Sequence, residues 1–285
     1  IPRTFGCMVD AHAVVTSKID LVDVSFNCSV PRGVAAETVG GVLFDVRGDG
    51  ELALINGSVS DMGVARVSAS GSPGLRVVGG KALLSRFDVL GAASTPEVNA
   101  LRADVGVGGA AFVGSGGRLM VTHSTLSQCT ASQAGGAIAV LGSGSACELR
   151  SATITGSSAP QGGAVSVASN GALIASGGEI SHNLATLGGG LFMRPETSVV
   201  MSDVAVLGNV AAGGGGGLAL LPFSIDGLAA SVDAGLLPMA PAGSSTTAVL
   251  TLERVVMRSN TAVGVGGGMF VCGAGVSLVN SVAFD

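Results

Sequence analysis

Residues 108–113 read Gly-Gly-Ala-Ala-Phe-Val, and the same opening returns as Gly135-Gly-Ala-Ile-Ala-Val, Gly162-Gly-Ala-Val-Ser-Val, Gly189-Gly-Leu-Phe-Met, Gly216-Gly-Leu-Ala-Leu and Gly267-Gly-Met-Phe-Val. Aligned on the second glycine of each pair, the markers are Gly109, Gly136, Gly163, Gly190, Gly217 and Gly268. The first four intervals are then 27 residues (136−109 and onward) and the last is 51 (268−217), a period plus an insertion of 24. A period of this size marks a solenoid. The apolar stretch after each pair is too short and too β-rich for a helical repeat.

Between the pairs run Arg118-Leu-Met-Val-Thr, Cys147-Glu-Leu-Arg, Ala172-Leu-Ile-Ala, Ser198-Val-Val-Met and Ala248-Val-Leu-Thr-Leu. A second run follows each, such as Ser151-Ala-Thr-Ile-Thr or Asp203-Val-Ala-Val-Leu. Three short strands and three turns fill each period. Equivalent residues of successive coils then stack about 4.8 Å apart, as three parallel sheets around a narrow core. The expectation is an all-β, parallel β-helix. The cramped interior accounts for the dominance of Gly, Ala, Val, Leu and Ser and for the absence of Trp and Tyr.

A second signal travels with the first. An apolar residue stands three positions before a turn residue in Leu126-x-x-Cys129, Ile180-x-x-Asn183, Val206-x-x-Asn209 and Met257-x-x-Asn260, with Thr153-x-x-Gly156 in the remaining coil. Asparagine tolerates left-handed backbone and can bond the next coil through its amide, so Asn183, Asn209 and Asn260 are expected to form a stacked ladder. The pairing of Gly-Gly-[Ala/Leu]-apolar with apolar-x-x-Asn resembles the GGAI and FxxN repeats of polymorphic outer-membrane-protein-like β-helices, in the wider pectin-lyase-like superfamily. The resemblance covers about residues 100–285. It implies a single-stranded right-handed parallel β-helix, and says less of activity, since such coils serve adhesins, surface scaffolds and polysaccharide enzymes alike.

The amino-terminal third reads as a looser version. Val24-x-x-Asn27 leads to Gly40-Gly41 and Val42-Leu-Phe, and Gly79-Gly80 precedes Lys81-Ala-Leu-Leu, at intervals of 39 (80−41) and 29 (109−80). The expected organisation is one β-helix domain over 1–285 with about nine coils: irregular coils over 1–100, regular ones over 101–220, an inserted loop over 221–245, and final coils over 246–285. The chain starts and stops inside repeats, which is expected of a segment of a longer polypeptide.

Composition narrows the function classes. Apolar residues make up 47% and charged ones 12%, too apolar for disorder, with no run long enough for a membrane span. A net charge of −5, scattered basic residues and few aromatics argue against nucleic acid. Asn27-Cys-Ser and Asn56-Gly-Ser are glycosylation sequons, which if used place the chain outside the cell. Asn27 also falls in the turn-asparagine slot, which would hide it. Of the five cysteines, Cys7 and Cys28 are the disulfide candidate, and Cys129, Cys147 and Cys272 show neither CxxC nor metal spacing.

Catalysis would need converging carboxylates or a metal-bound base. No Asn-Thr-Asp, Asp-Asp, Gly-His-Gly or Arg-Ile-Lys motif is present, and Glu148, Glu179 and Glu253 fall at unequal registers. One polar column emerges from the period: His123, Arg150 and Gly177, extended to Asp203 and Arg254, read as a solvent-facing corner. His182 belongs to the surface of the ladder turn. No catalytic, cofactor or metal residue is assigned. The expected function is non-enzymatic: a stiff structural or adhesive module of an extracellular or cell-surface fibre, wall or ciliary appendage. Its expected partners are other proteins, copies of itself and glycans. The alternative is a polysaccharide-binding or polysaccharide-cleaving β-helix.

Overall fold

The computed structural model describes residues 3–6, 13–27, 44–60, 74–94, 106–221, 248–272 and 276–279. Among them every strand-to-strand pairing is parallel, and no helix occurs. Three walls result. The first is nine strands deep, beginning at Ala13, Phe44, Leu75, Ala111, Ile138, Val165, Leu191, Leu218 and Met269. The second wall follows each of these in the chain and begins one level earlier with Arg3–Gly6, stacked on Val24–Asn27, and the third is six strands deep. The described residues thus form a parallel β-solenoid of ten levels, six of which show all three walls.

The walls divide the period differently from the sequence reading. The two runs expected as separate strands are halves of one bent second wall, continuous in Ala146–Thr155 and Ala172–Ser181 and split in Arg118–Thr122 plus Thr125–Ser127. The third wall consists of short pieces that carry no apolar run, such as Thr130–Ala131, Ser158–Gln161 and Leu184–Leu187. Two residues suffice because each strand is held by the strands above and below it, not by its own length.

Strand pairing also moves several positions by one. Val165 pairs with Leu191 and Leu191 with Leu218, so Gly163 stacks on Gly189 and Gly216, not on Gly190 and Gly217. Gly190, Gly217 and Gly268 stand where earlier coils have Ala110, Ala137 and Ala164. The contact distances agree. A Cβ on Gly136 would lie 2.0 Å from the Gly163 oxygen, on Gly163 2.2 Å from that of Gly189, and on Gly189 2.3 Å from that of Gly216. Such distances are closed to any side chain, so the second glycine is fixed by coil-to-coil contact. The first glycine is fixed by its own turn: Gly135, Gly162 and Gly188 all have φ between 63° and 67°, and a Cβ there meets a backbone oxygen three residues on.

Gly79-Gly80 is not a marker of this kind. Lys81–Leu90 pairs with Arg118–Thr122 and so lies in the second wall, and the pair is equivalent to Gly116-Gly117 at the preceding turn. Gly40-Gly41 lies outside the described residues. Asn27 pairs with Ser60, two residues before the corner slot, so it does not occupy that slot. The inserted segment, of which 222–247 lie outside the described residues, was expected between two coils. It falls instead within one, because Leu218–Leu220 stacks on Leu191–Met193 and Val249–Glu253 on Ser198–Ser202.

Alternation builds the core. In Arg118–Thr122, Leu119 and Val121 are buried while Arg118, Met120 and Thr122 face outward. In the middle coils the first wall is buried on both faces, as in Ala111–Gly114, Val165–Ala168, Leu191–Met193 and Leu218–Leu220. Ile138 and Val140 point into the core, and Ala139 packs on the outside against Phe112 and Val107.

Candidate functional site

The corner between the second and third walls holds the asparagines. Asn183 and Asn209 are fully buried and Asn260 is 8% exposed. Asn183 Nδ2 donates to Asn209 Oδ1 at 2.9 Å, and Asn209 Nδ2 donates to Asn260 Oδ1 at 2.9 Å. Each amide oxygen also accepts the backbone N–H of the previous coil's slot residue, as Asn209 Oδ1 does from Asn183 at 3.0 Å. Each Nδ2 donates back to a carbonyl of the previous coil, Ile154, Ile180 or Val206. The side chain thus satisfies a corner that the wall hydrogen bonds cannot reach.

The column continues upward with smaller groups. The Ser157 N–H donates to Asn183 Oδ1 at 2.9 Å, and the Cys129 N–H to Ser157 Oγ at 3.3 Å. Ser157, not Gly156, therefore occupies the slot in that coil. Gly156 belongs to the neighbouring left-handed column with Gln128, His182 and Gly208, where φ lies between 54° and 64°. His182 is exposed there.

The second wall bends at another left-handed column. Asp23, Asn56, Arg86, His123, Ser151, Gly177, Asp203 and Arg254 stack in register, with φ from 47° to 66°. This is the polar column of the sequence reading with one correction: Arg150 pairs with Thr122 and lies one residue before the bend, where Ser151 stands. A residue at the bend projects into solvent, which is why polar types collect there. Asn56 is exposed in this column.

The carboxylates near the column are held by cations. Arg254 grips Asp203 with two bonds of 2.6 and 2.7 Å and also bonds Glu253. The hydrogen bond from Arg254 keeps the Asp203 carboxyl below its ordinary range. Glu148 takes Arg150 at 2.6 Å. Glu51 takes Lys81 at 2.8 Å, a hydrogen bond that lowers its carboxyl as well. On the first wall Asp45 is 2% exposed. Burial pushes its carboxyl up, but the Arg47 hydrogen bond and the charges of Arg76 and Arg47 outweigh that and hold it below the usual range.

Cys129 and Cys147 are buried free thiols. Burial pushes Cys129 up to about 12 and raises Cys147 too, which favours the protonated thiol at both. Cys7 and Cys28 lie outside the described residues. Among the described residues no group of three or more His, Cys, Asp or Glu is placed to hold a metal ion, and no helix is long and apolar enough to cross a membrane. A hollow of about 690 Å³ opens on the outer face of the second wall, over the strands of coils running from Lys18 to Ile174. Neither the polar columns nor this hollow has a counterpart to compare: no protein-family model, no curated protein and no solved structure matches the chain.

Proposed function

We propose that the chain is a non-enzymatic structural or adhesive module of an extracellular or cell-surface assembly, a stiff rod that works by contact with other proteins, glycans or copies of itself. We also propose kinship with the GGAI/FxxN β-helices of the polymorphic outer-membrane-protein type, on the corner glycines and the amide ladder. The observation that carries the reading is that the carboxylates of Asp203 and Glu51 are each engaged by a cation of the neighbouring coil, Arg254 and Lys81. A general acid needs a carboxyl raised toward neutral pH, whereas Asp203 and Glu51 are lowered by the cations that bind them. The sequons support an extracellular setting, with Asn56 at an exposed bend.

The test is a panel of neutral and acidic polysaccharides assayed with and without calcium, repeated with Asp203→Asn and His123→Ala, alongside sedimentation of the chain. The scaffold reading expects no turnover from any form and concentration-dependent association. Turnover abolished by either substitution would replace it with the polysaccharide-active reading.

A further inference from the structure

Beyond the scaffold reading, and independent of it, we propose that the hollow on the second wall is a binding site for a free single-chain aliphatic anion, its head on Arg118 and its chain laid along the rod. The floor of the hollow is the outward column Asp20, Ala53, Leu83, Met120, Glu148 and Ile174, one residue per coil and aliphatic except at Asp20 and Glu148. Ile174 is 50% exposed, so this strip is an aliphatic surface open to water. Glu148 does not break its character, because its carboxylate is bound sideways by Arg150 at 2.6 Å.

Apart from Asp20 and Glu148, the charge of the hollow lies along one edge. Lys18, Glu51, Lys81 and Arg118 follow one another in adjacent coils. Lys81 is paired with Glu51 at 2.8 Å, and Lys18 lies 3.6 Å from Asp20. Arg118 is exposed, and among the described residues no carboxylate pairs with it. The hollow therefore presents one uncompensated guanidinium beside an aliphatic floor. Coils spaced about 4.8 Å apart give a strip of about 14 Å from the Arg118 coil to the Val22 coil, three steps away.

Shape and composition select among occupants. A hollow of about 690 Å³ is of small-molecule size. Being concave, it does not mate with a flat wall of a second copy. A sugar chain finds no Trp or Tyr in this protein to stack on. An anion with an aliphatic tail matches both the unpaired cation and the floor.

Calorimetric titration of the whole chain with sodium dodecanoate and with dodecyltrimethylammonium, both below their micellar concentrations, tests the assignment. Expected are saturable one-to-one binding of dodecanoate and binding of the cationic amphiphile at least tenfold weaker. Arg118→Glu should weaken dodecanoate at least tenfold with the circular-dichroism spectrum and melting midpoint unchanged. Met120→Glu should do the same through the floor, and Arg258→Glu, outside the hollow, should change nothing. Equal binding of the two amphiphiles, dodecanoate binding indifferent to Arg118→Glu, or no binding at all would overturn the proposal. So would sedimentation with phosphatidylglycerol vesicles or capture of oligogalacturonate in the absence of dodecanoate binding, in favour of a membrane surface or a sugar site respectively.

Discussion

The early coils, up to Ser94, and the later ones, from Gly106, meet one stacking requirement by different chemistry. In the early coils the strands of the first wall recur 31 (75−44) and 36 (111−75) residues apart, and neighbours are joined by opposite charges, Asp45 with Arg76 and Glu51 with Lys81. In the later coils the interval tightens to 26 or 27 residues except for one of 51 (269−218), across which Asp203 and Arg254 pair, and the corners are held by Gly-Gly contacts and the amide ladder. Ion pairs tolerate slack in the turns, since long side chains reach. Glycine corners and an amide ladder need the corner itself to keep its length, and the one long interval leaves them intact because its extra residues lie between the first and second walls. Regular spacing thus accompanies neutral, short-range corner chemistry.

Corner glycines give the largest expected contrast. Gly162 has φ +67°, and a Cβ there would lie 2.0 Å from the Val165 oxygen, so Gly162→Ala should cost about 3–5 kcal/mol in urea denaturation. At Gly48, φ +56° with nothing within 4 Å, the same change meets only the left-handed penalty, about 1–2 kcal/mol. Equal costs would remove the distinction between a glycine closed by its neighbours and one that is only left-handed. Next comes Asn183→Leu, which strips the Ser157 N–H of its acceptor in a buried corner and should lower stability by about 1–3 kcal/mol. A neutral outcome would mean the ladder is decoration.

Acid sharpens the comparison more gently. The carboxyls of Asp45 and Glu51 are lowered in the folded chain, so their stabilisation is fully present above the unfolded values, 3.8 and 4.5, and is lost as pH falls through the folded ones. Asp203 is lowered too but stands on coils that the amide ladder also holds, so hydrogen exchange followed from pH 6 down to pH 3 should show the early coils opening before the ladder coils. Simultaneous opening would contradict the division. The smallest effect is on thiol chemistry. Cys129 and Cys147 should resist a disulfide reagent at pH 8 in the native state, while the partly exposed Cys272 reacts. Rapid labelling of all three would show the corner column to be loose.

Much of this was legible in the residues, because the corner chemistry that demands Gly-Gly and Asn leaves those letters at a fixed interval. The one-residue displacement was not. Where a coil reads Gly188-Gly189-Gly190, the letters do not say which two are the pair, and only the Leu191 pairing with Val165 shows that Gly190 holds the alanine position. A separate displacement put Gly156 for Ser157 and Arg150 for Ser151: the turn before Ala146 is one residue longer than the turn before Arg118, so the second wall recurs after 28 residues (146−118) where the first recurs after 27 (138−111). The third wall went unseen because Thr130–Ala131 is stabilised by its stack and carries no pattern of its own. The Asp45–Arg76 pair joins residues 31 apart in a stretch without a period. The hollow depends on which charges are already paired, a fact no spacing contains.

The register is tested most directly by comparing Gly189→Ala with Gly190→Ala in equilibrium unfolding. A Cβ on Gly189 would stand 2.3 Å from the Gly216 oxygen and 2.6 Å from that of Val210, both backbone atoms of the next coil. On Gly190 the nearest approach is 2.7 Å, to the Gly217 oxygen, at a position that Ala110, Ala137 and Ala164 fill in other coils. Stacking of Gly163 on Gly189 and of Gly189 on Gly216 predicts a loss of about 3 kcal/mol or more for Gly189→Ala and about 1 kcal/mol for Gly190→Ala. The reverse order would return the coils to a uniform 27-residue register and contradict the fold described above.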